Sequence, residues 1–169
     1  MYKFALGIAT MTLTFALTAT AADNPDATFY KKAAEGGLAE VDLGKMAQDK
    51  SKTPAVKDFG AMMVADHSAA NEKLSAIAAR KNITLPTSPS ISQMASKAKL
   101  ELLTGATFDK SYIKGMVEDH QEDIKEFQQE AASGQDPDAK AYATATLPTL
   151  KKHLKKIQAI AVAQGVDAS

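Results

Sequence analysis

Residues 53–78 read TPAVKDFGAMMVADHSAANEKLSAIA. Thr53 is a good helix N-cap, and Pro54 suits the first helical position, where it has no hydrogen bond to lose. Behind them Val56, Phe59, Met63, His67, Ala70, Leu74 and Ile77 recur at steps of three and four. That spacing lines one face of a helix. The stretch therefore predicts a long amphipathic helix with a histidine near the middle of its apolar seam. A ring nitrogen on such a seam costs stability unless something partners it.

Three more stretches share this pattern. A helix from Asp26 to Asp49 carries the seam Ala33, Gly36/Gly37, Glu40, Leu43/Gly44 and Ala47. A helix from about Phe108 to Ser133, stopped by Gly134, carries Ile113, Met116, His120, Ile124, Phe127 and Ala131. Asp136-Pro137 repeats the cap-plus-proline device and opens a helix to about Ala163. Its seam is Leu147, Leu150, His153/Leu154, Ile157 and Ile160/Ala161, and Pro148 inside it removes the bond to the Thr144 carbonyl. No stretch alternates as a strand would.

The connections predict the topology. The first two helices are joined tightly, as are the last two, and short links make antiparallel neighbours. Residues 82–106 form a longer link, broken at Ser88-Pro89-Ser90, with room for a short helix over Ser92–Leu103. The expected fold is all-α: a ferritin-like four-helix bundle of two antiparallel hairpins and a long crossover with a short extra helix. An up-down-up-down bundle is the alternative.

The N-terminus reads as an export signal. Lys3 precedes an apolar run from Phe4 to Leu17, and Ala19-Thr20-Ala21 fits the small-x-small cleavage rule. The expected organisation is a signal peptide over 1–21 and one bundle domain over 22–169, in the periplasm or secreted. The apolar run is short for a span of ~20 residues, and no transmembrane segment is expected in the mature chain. There is no cysteine, so no disulfide. Removing Lys3 leaves 19 basic against 20 acidic residues, a balance that does not suggest a nucleic-acid partner. The run Lys151-Lys152-His153-Leu154-Lys155-Lys156 reads as a solvated face around a seam histidine.

Each seam carries one residue able to ligate a metal: Glu40, His67, His120 and His153, which are the mid-seam polar residues of the four long helices. All four lie within about one turn (~5.4 Å) of their helix middles, so antiparallel packing would put them in one layer. Three imidazoles and a carboxylate suit a transition metal ion such as copper, zinc or iron. Met63 and Met116 precede His67 and His120 by one turn, and as soft ligands or lining they would favour copper. Asp66 and Asp119 each precede a seam histidine and read either as orienting acceptors or as solvated groups. The competing reading is structural: core histidines bonded to carbonyls or to Tyr30, Tyr112 and Tyr142. Interior glycines at 36, 37, 44, 60 and 115 suggest close helix approach.

Glu-x-x-His, the motif of two-metal carboxylate bundles, occurs nowhere, since Val64, Val117 and Leu150 stand three before the histidines. No nucleophile motif or phosphate loop is present. These absences lean against turnover and leave a redox metalloenzyme with an open coordination position as a third reading.

Several runs together resemble one family. They are Ala33-Ala34-Glu35-Gly36-Gly37-Leu38-Ala39-Glu40, Val56-Lys57-Asp58-Phe59 leading to Met63-Val64-Ala65-Asp66-His67, Phe108-Asp109 with Tyr112, and Leu147-Pro148 ahead of His153-Leu154. They are similar to the exported bacterial "domain of unknown function 4142" family, which is ferritin-like. The resemblance implies an envelope-associated helical bundle, with Glu40, His67, His120 and His153 at motif positions, and it implies no activity. The expected role is metal sequestration or envelope stress protection. The alternative is a structural or interaction module of the envelope, with neither metal nor catalysis, engaging an envelope protein or a second copy of itself.

Overall fold

The computed structural model describes residues 26–167, so the expected signal segment lies outside the described residues. Five helices follow one another: α1 (Ala27–Lys50), α2 (Pro54–Arg80), α3 (Ile91–Glu101), α4 (Gly105–Ser133) and α5 (Pro137–Ala163). Among the described residues there is no strand. Nor is any helix there long and apolar enough to cross a membrane.

Both expected proline starts are present: Pro54 and Pro137 occupy first-turn positions, and the Asp136 side chain accepts from the Asp138 backbone N–H at 3.0 Å. Thr53 holds the N-cap place of α2 without a side-chain cap, because its hydroxyl donates to Asp109 at 2.6 Å instead. The short helix α3 begins with a reciprocal cap: Ser90 Oγ accepts from Gln93 N–H, and the Gln93 side chain accepts from Ser90 N–H. One boundary differs from expectation. The fourth helix starts at Gly105 rather than near Phe108. Thr104 takes the N-cap place, with its carbonyl accepting from Phe108 N–H at 3.3 Å. Gly105 has φ +56, a value that glycine tolerates, and it opens the helix.

Two apolar clusters show how the chain is threaded. One gathers Met46 of α1, Phe59 of α2, Phe108 and Ile113 of α4 and Ile160 of α5. It therefore holds the C-terminal ends of α1 and α5 with the N-terminal ends of α2 and α4. The other gathers Phe29 and Tyr30, Leu74, Phe127 and Tyr142, the opposite end of each helix. Hence α1 runs antiparallel to α2 and α4, and α5 antiparallel to α4 and α2. Ile83 and Leu85 pack on the second cluster, while Leu100 and Leu103 pack on the first. The α2–α4 link thus travels the length of the bundle, as the ferritin-like topology requires.

The α1–α2 pair is unusually close. A Cβ built on Gly44 would lie 2.6 Å from the Gly60 carbonyl oxygen, and one on Gly60 would lie 2.6 Å from the Gly44 carbonyl oxygen. This crossing sits one turn beyond Glu40 and draws α1 and α2 together beside the polar layer. Gly115, by contrast, has open space around it.

Candidate functional site

Glu40 of α1, His67 of α2, His120 of α4 and His153 of α5 meet between the two apolar clusters. All four are buried, His120 and His153 completely. The ring centroids of the three histidines stand 5.3 to 6.0 Å apart. One ring nitrogen from each lies within 4.8 Å of the others. The edge-on Phe59 ring closes one side, 6.1 Å from His120 and 6.5 Å from His153.

Hydrogen bonding sets which nitrogens carry protons. The His120 Nδ1 lies 2.8 Å from the Met116 carbonyl oxygen, which can only accept, so Nδ1 donates. His153 Nε2 donates to Asp66 Oδ2 at 2.8 Å. In the neutral rings this leaves lone pairs on His120 Nε2 and His153 Nδ1. These two atoms face each other at 3.4 Å. Two facing lone pairs repel unless a proton added to one ring, or another cation, lies between them.

Glu40 bridges the other side. Its Oε2 pairs with His67 Nε2, and its Oε1 lies 3.2 Å from His120 Nδ1. Neither oxygen lies along a donor direction, so both remain without a directed hydrogen bond despite this proximity. Charge draws the carboxylate against the two rings, and the short approach to His67 adds to it. Burial works against an ionised Glu40, but the charges of His67 and His120 outweigh it and hold the carboxyl below its ordinary range. Burial likewise works against a charged His67, and the Glu40 carboxylate outweighs it, so His67 titrates above its ordinary value. His153 titrates below its own: burial dominates, the Asp66 bond opposes it, and the neighbouring histidines add to it.

The flanking residues divide. Asp66 bonds His153, whereas its sequence counterpart Asp119 bonds no histidine. Asp119 instead lies in a surface cleft beside Glu40. There burial and then the Glu40 charge push its carboxyl up to about 7. Asp123, one turn on, is pushed well up by the same two causes. Met63 and Met116 are fully buried in the apolar cluster next to the histidine layer. None of the three tyrosines considered as histidine partners takes that place. Tyr30 donates to Asp136 at 3.0 Å, Tyr142 donates to the Ala70 carbonyl at 3.4 Å, and the buried Tyr112 hydroxyl makes no hydrogen bond.

Fold and site together define a ferritin-like helical bundle with a buried histidine cluster at its waist. The sequence profile of the family described as "Domain of unknown function (DUF4142)" matches residues 12–160, and the chain belongs to that family. Among solved structures, a DUF305 protein from Streptomyces coelicolor, described as secreted, superposes with a TM-score of 0.74. It is 14% identical, and the match covers 88% of this chain and 98% of that one. At this identity the likeness shows the fold alone. No curated protein matches.

Proposed function

We propose that this protein binds one transition metal ion, copper, zinc or iron, at the centre of its bundle. His67, His120 and His153 are the ligands, and Glu40 is the fourth ligand or the charge-balancing neighbour. The observation that carries this reading is that His120 Nε2 and His153 Nδ1 face each other at 3.4 Å, the far nitrogen of each ring being held by an acceptor, with a His67 nitrogen within 4.8 Å. Nitrogen ligands at ~2.0–2.1 Å from a tetrahedral ion stand about 3.3–3.4 Å apart. Asp66 and the Met116 carbonyl would hold two of the rings in the metal-binding tautomer, the usual task of outer partners. With no Glu-x-x-His, the role is sequestration or protection of the envelope rather than turnover. A processed signal over residues 1–21 would deliver a single bundle domain to the periplasm or beyond.

The test is metal content of the purified protein and its thermal unfolding with and without copper, zinc or iron. At a hundredfold excess over Kd a single bound ion stabilises by about 2.7 kcal/mol. That corresponds to roughly 5–10 °C in Tm at this size. No co-purifying metal and no shift with any of the three ions would refute the reading.

A second reading has one observation in its favour: every histidine also has a protein partner, Glu40, the Met116 carbonyl or Asp66. A structural or interaction module would need no more than that. It predicts that His153→Ala changes stability without changing metal content.

A further inference from the structure

An acidic cleft of about 450 Å³ opens on the surface between α1 and α4, and Glu40 forms part of its lining. Five other carboxylates line it: Glu35 of α1, and Asp119, Glu122, Asp123 and Glu126 of α4. One cation, Lys32, shares the wall and pairs with Glu126. The crossover roofs the cleft with the hydroxyl side of α3, Ser92 and Ser96 among them. An ion pair tethers that roof to α1, Lys97 to Asp42 at 2.7 Å. The inner end is Glu40, 2% exposed, with both carboxylate oxygens lacking a directed hydrogen bond and the histidine layer directly behind.

We propose that this cleft is the uptake route by which hydrated divalent cations reach the histidine cluster, with Glu40 as the inner acceptor that passes the ion to the rings. The proposal rests on the metal-binding reading above. Size permits it: six waters at ~30 Å³ each occupy roughly 180 Å³, well within the cleft. Charge favours it: six carboxyl groups against one lysine line the groove, and a groove in which one sign predominates raises the local concentration of the opposite ion. The Ser and Gln roof offers neutral oxygen atoms to an ion shedding water, and the roof's own cation, Lys97, is held by Asp42.

The test is stopped-flow uptake of Cu2+ by the purified protein, followed by visible absorption of the bound ion. Copper is the tightest binder of the divalent first-row series at nitrogen sites. Two charge-matched variants are compared: Glu35→Gln/Asp119→Asn/Glu122→Gln in the cleft, and Asp49→Asn/Asp58→Asn/Glu72→Gln on exposed positions outside it. The cleft variant is expected to take up Cu2+ about tenfold more slowly at low salt. It should also lose most of the wild-type dependence on ionic strength, while one ion is still bound per chain. The outside variant should stay within about twofold of wild type. Equal slowing by both variants, or wild-type rates in the cleft variant, overturns the uptake route and leaves the metal site standing. Failure of the wild type to bind Cu2+ at all overturns the metal site and the route with it. Should the triple cleft variant not fold, the exposed single change Glu122→Gln carries the same comparison, with a slowing of about twofold expected.

Discussion

His120 Nε2 and His153 Nδ1 face each other at 3.4 Å because the far nitrogen of each ring is already committed, to the Met116 carbonyl and to Asp66. Asp66 therefore fixes which ring nitrogen of His153, a residue on another helix, faces the cluster. Asp66→Asn can present an amide N–H to His153, which would favour the opposite tautomer and place a proton on Nδ1. Metal affinity should fall by about 10–100-fold, the usual effect of losing such a partner. Titration of Cu2+ or Zn2+ against a competing chelator measures it. Affinity equal to wild type would mean that Asp66 does not orient the ring.

Asp66 also shows where sequence reading stops. Asp66 and Asp119 occupy the same place, one residue before a seam histidine, in two copies of one pattern. Their fates differ because α2 neighbours α5 while α4 neighbours α1. Asp66 consequently meets His153, and Asp119 meets the Glu40 side of the cleft. No local pattern encodes which helix lies alongside. The helix starts at Pro54 and Pro137 were legible because caps and prolines act locally, and the meeting of the four mid-seam residues followed from helix length and antiparallel packing. The acidic face at 119, 122, 123 and 126 has helical spacing too. On its own, however, it reads as a solvated surface, and only the roof laid down by α3 makes it a cleft.

The Glu40–His67 pair gives the site a pH dependence with a definite sign. The depressed Glu40 carboxyl contributes stability that is present above its unfolded pKa and lost as pH falls through its folded value. The raised His67 contributes stability that is full below its unfolded pKa and lost as pH rises through its folded value. A metal ligand must be deprotonated, so an ion bound by His67 displaces a proton. Calorimetry in buffers of different ionisation enthalpy, near neutral pH, should register proton release on binding. His67→Gln should abolish most of it. Undiminished release in that variant would place the proton elsewhere.

The Gly44–Gly60 contact predicts opposite effects for the same change at two glycines. Gly44→Ala forces a methyl group to within 2.6 Å of the Gly60 carbonyl, with Met63 Cβ at 3.1 Å behind it. Backbone cannot yield as a side-chain tip can, so overpacking should cost about 1–3 kcal/mol, and Tm should drop by several degrees. Gly115→Ala meets nothing within 4 Å and should stabilise α4 by about 0.5–1 kcal/mol. Thermal unfolding followed by circular dichroism compares the two. A Gly44→Ala protein as stable as wild type would show that the two helices can part freely.

At the far end of the bundle, Glu130 predicts a second pH effect, remote from the histidines. The residue is 8% exposed, and its carboxyl lies beside Asp26. Burial, then the Asp26 charge and a hydrogen bond to that residue, push it up to about 7. Between the ordinary carboxylate range and about 7 the folded chain thus holds a proton that the unfolded chain has lost. Stability must fall as pH rises through that window and level off above it. Asp119 acts in the same direction, so wild type alone does not isolate Glu130. Glu130→Gln retains a donor for Asp26 and cannot ionise. Screening at this partly open end reduces the effect, and the variant should be more stable than wild type by about 1 kcal/mol at pH 8. Near pH 4.5 the two should be nearly equal. Denaturant unfolding at both pH values measures the difference, and a gap that does not change with pH would show that Glu130 titrates alike in the folded and unfolded chains.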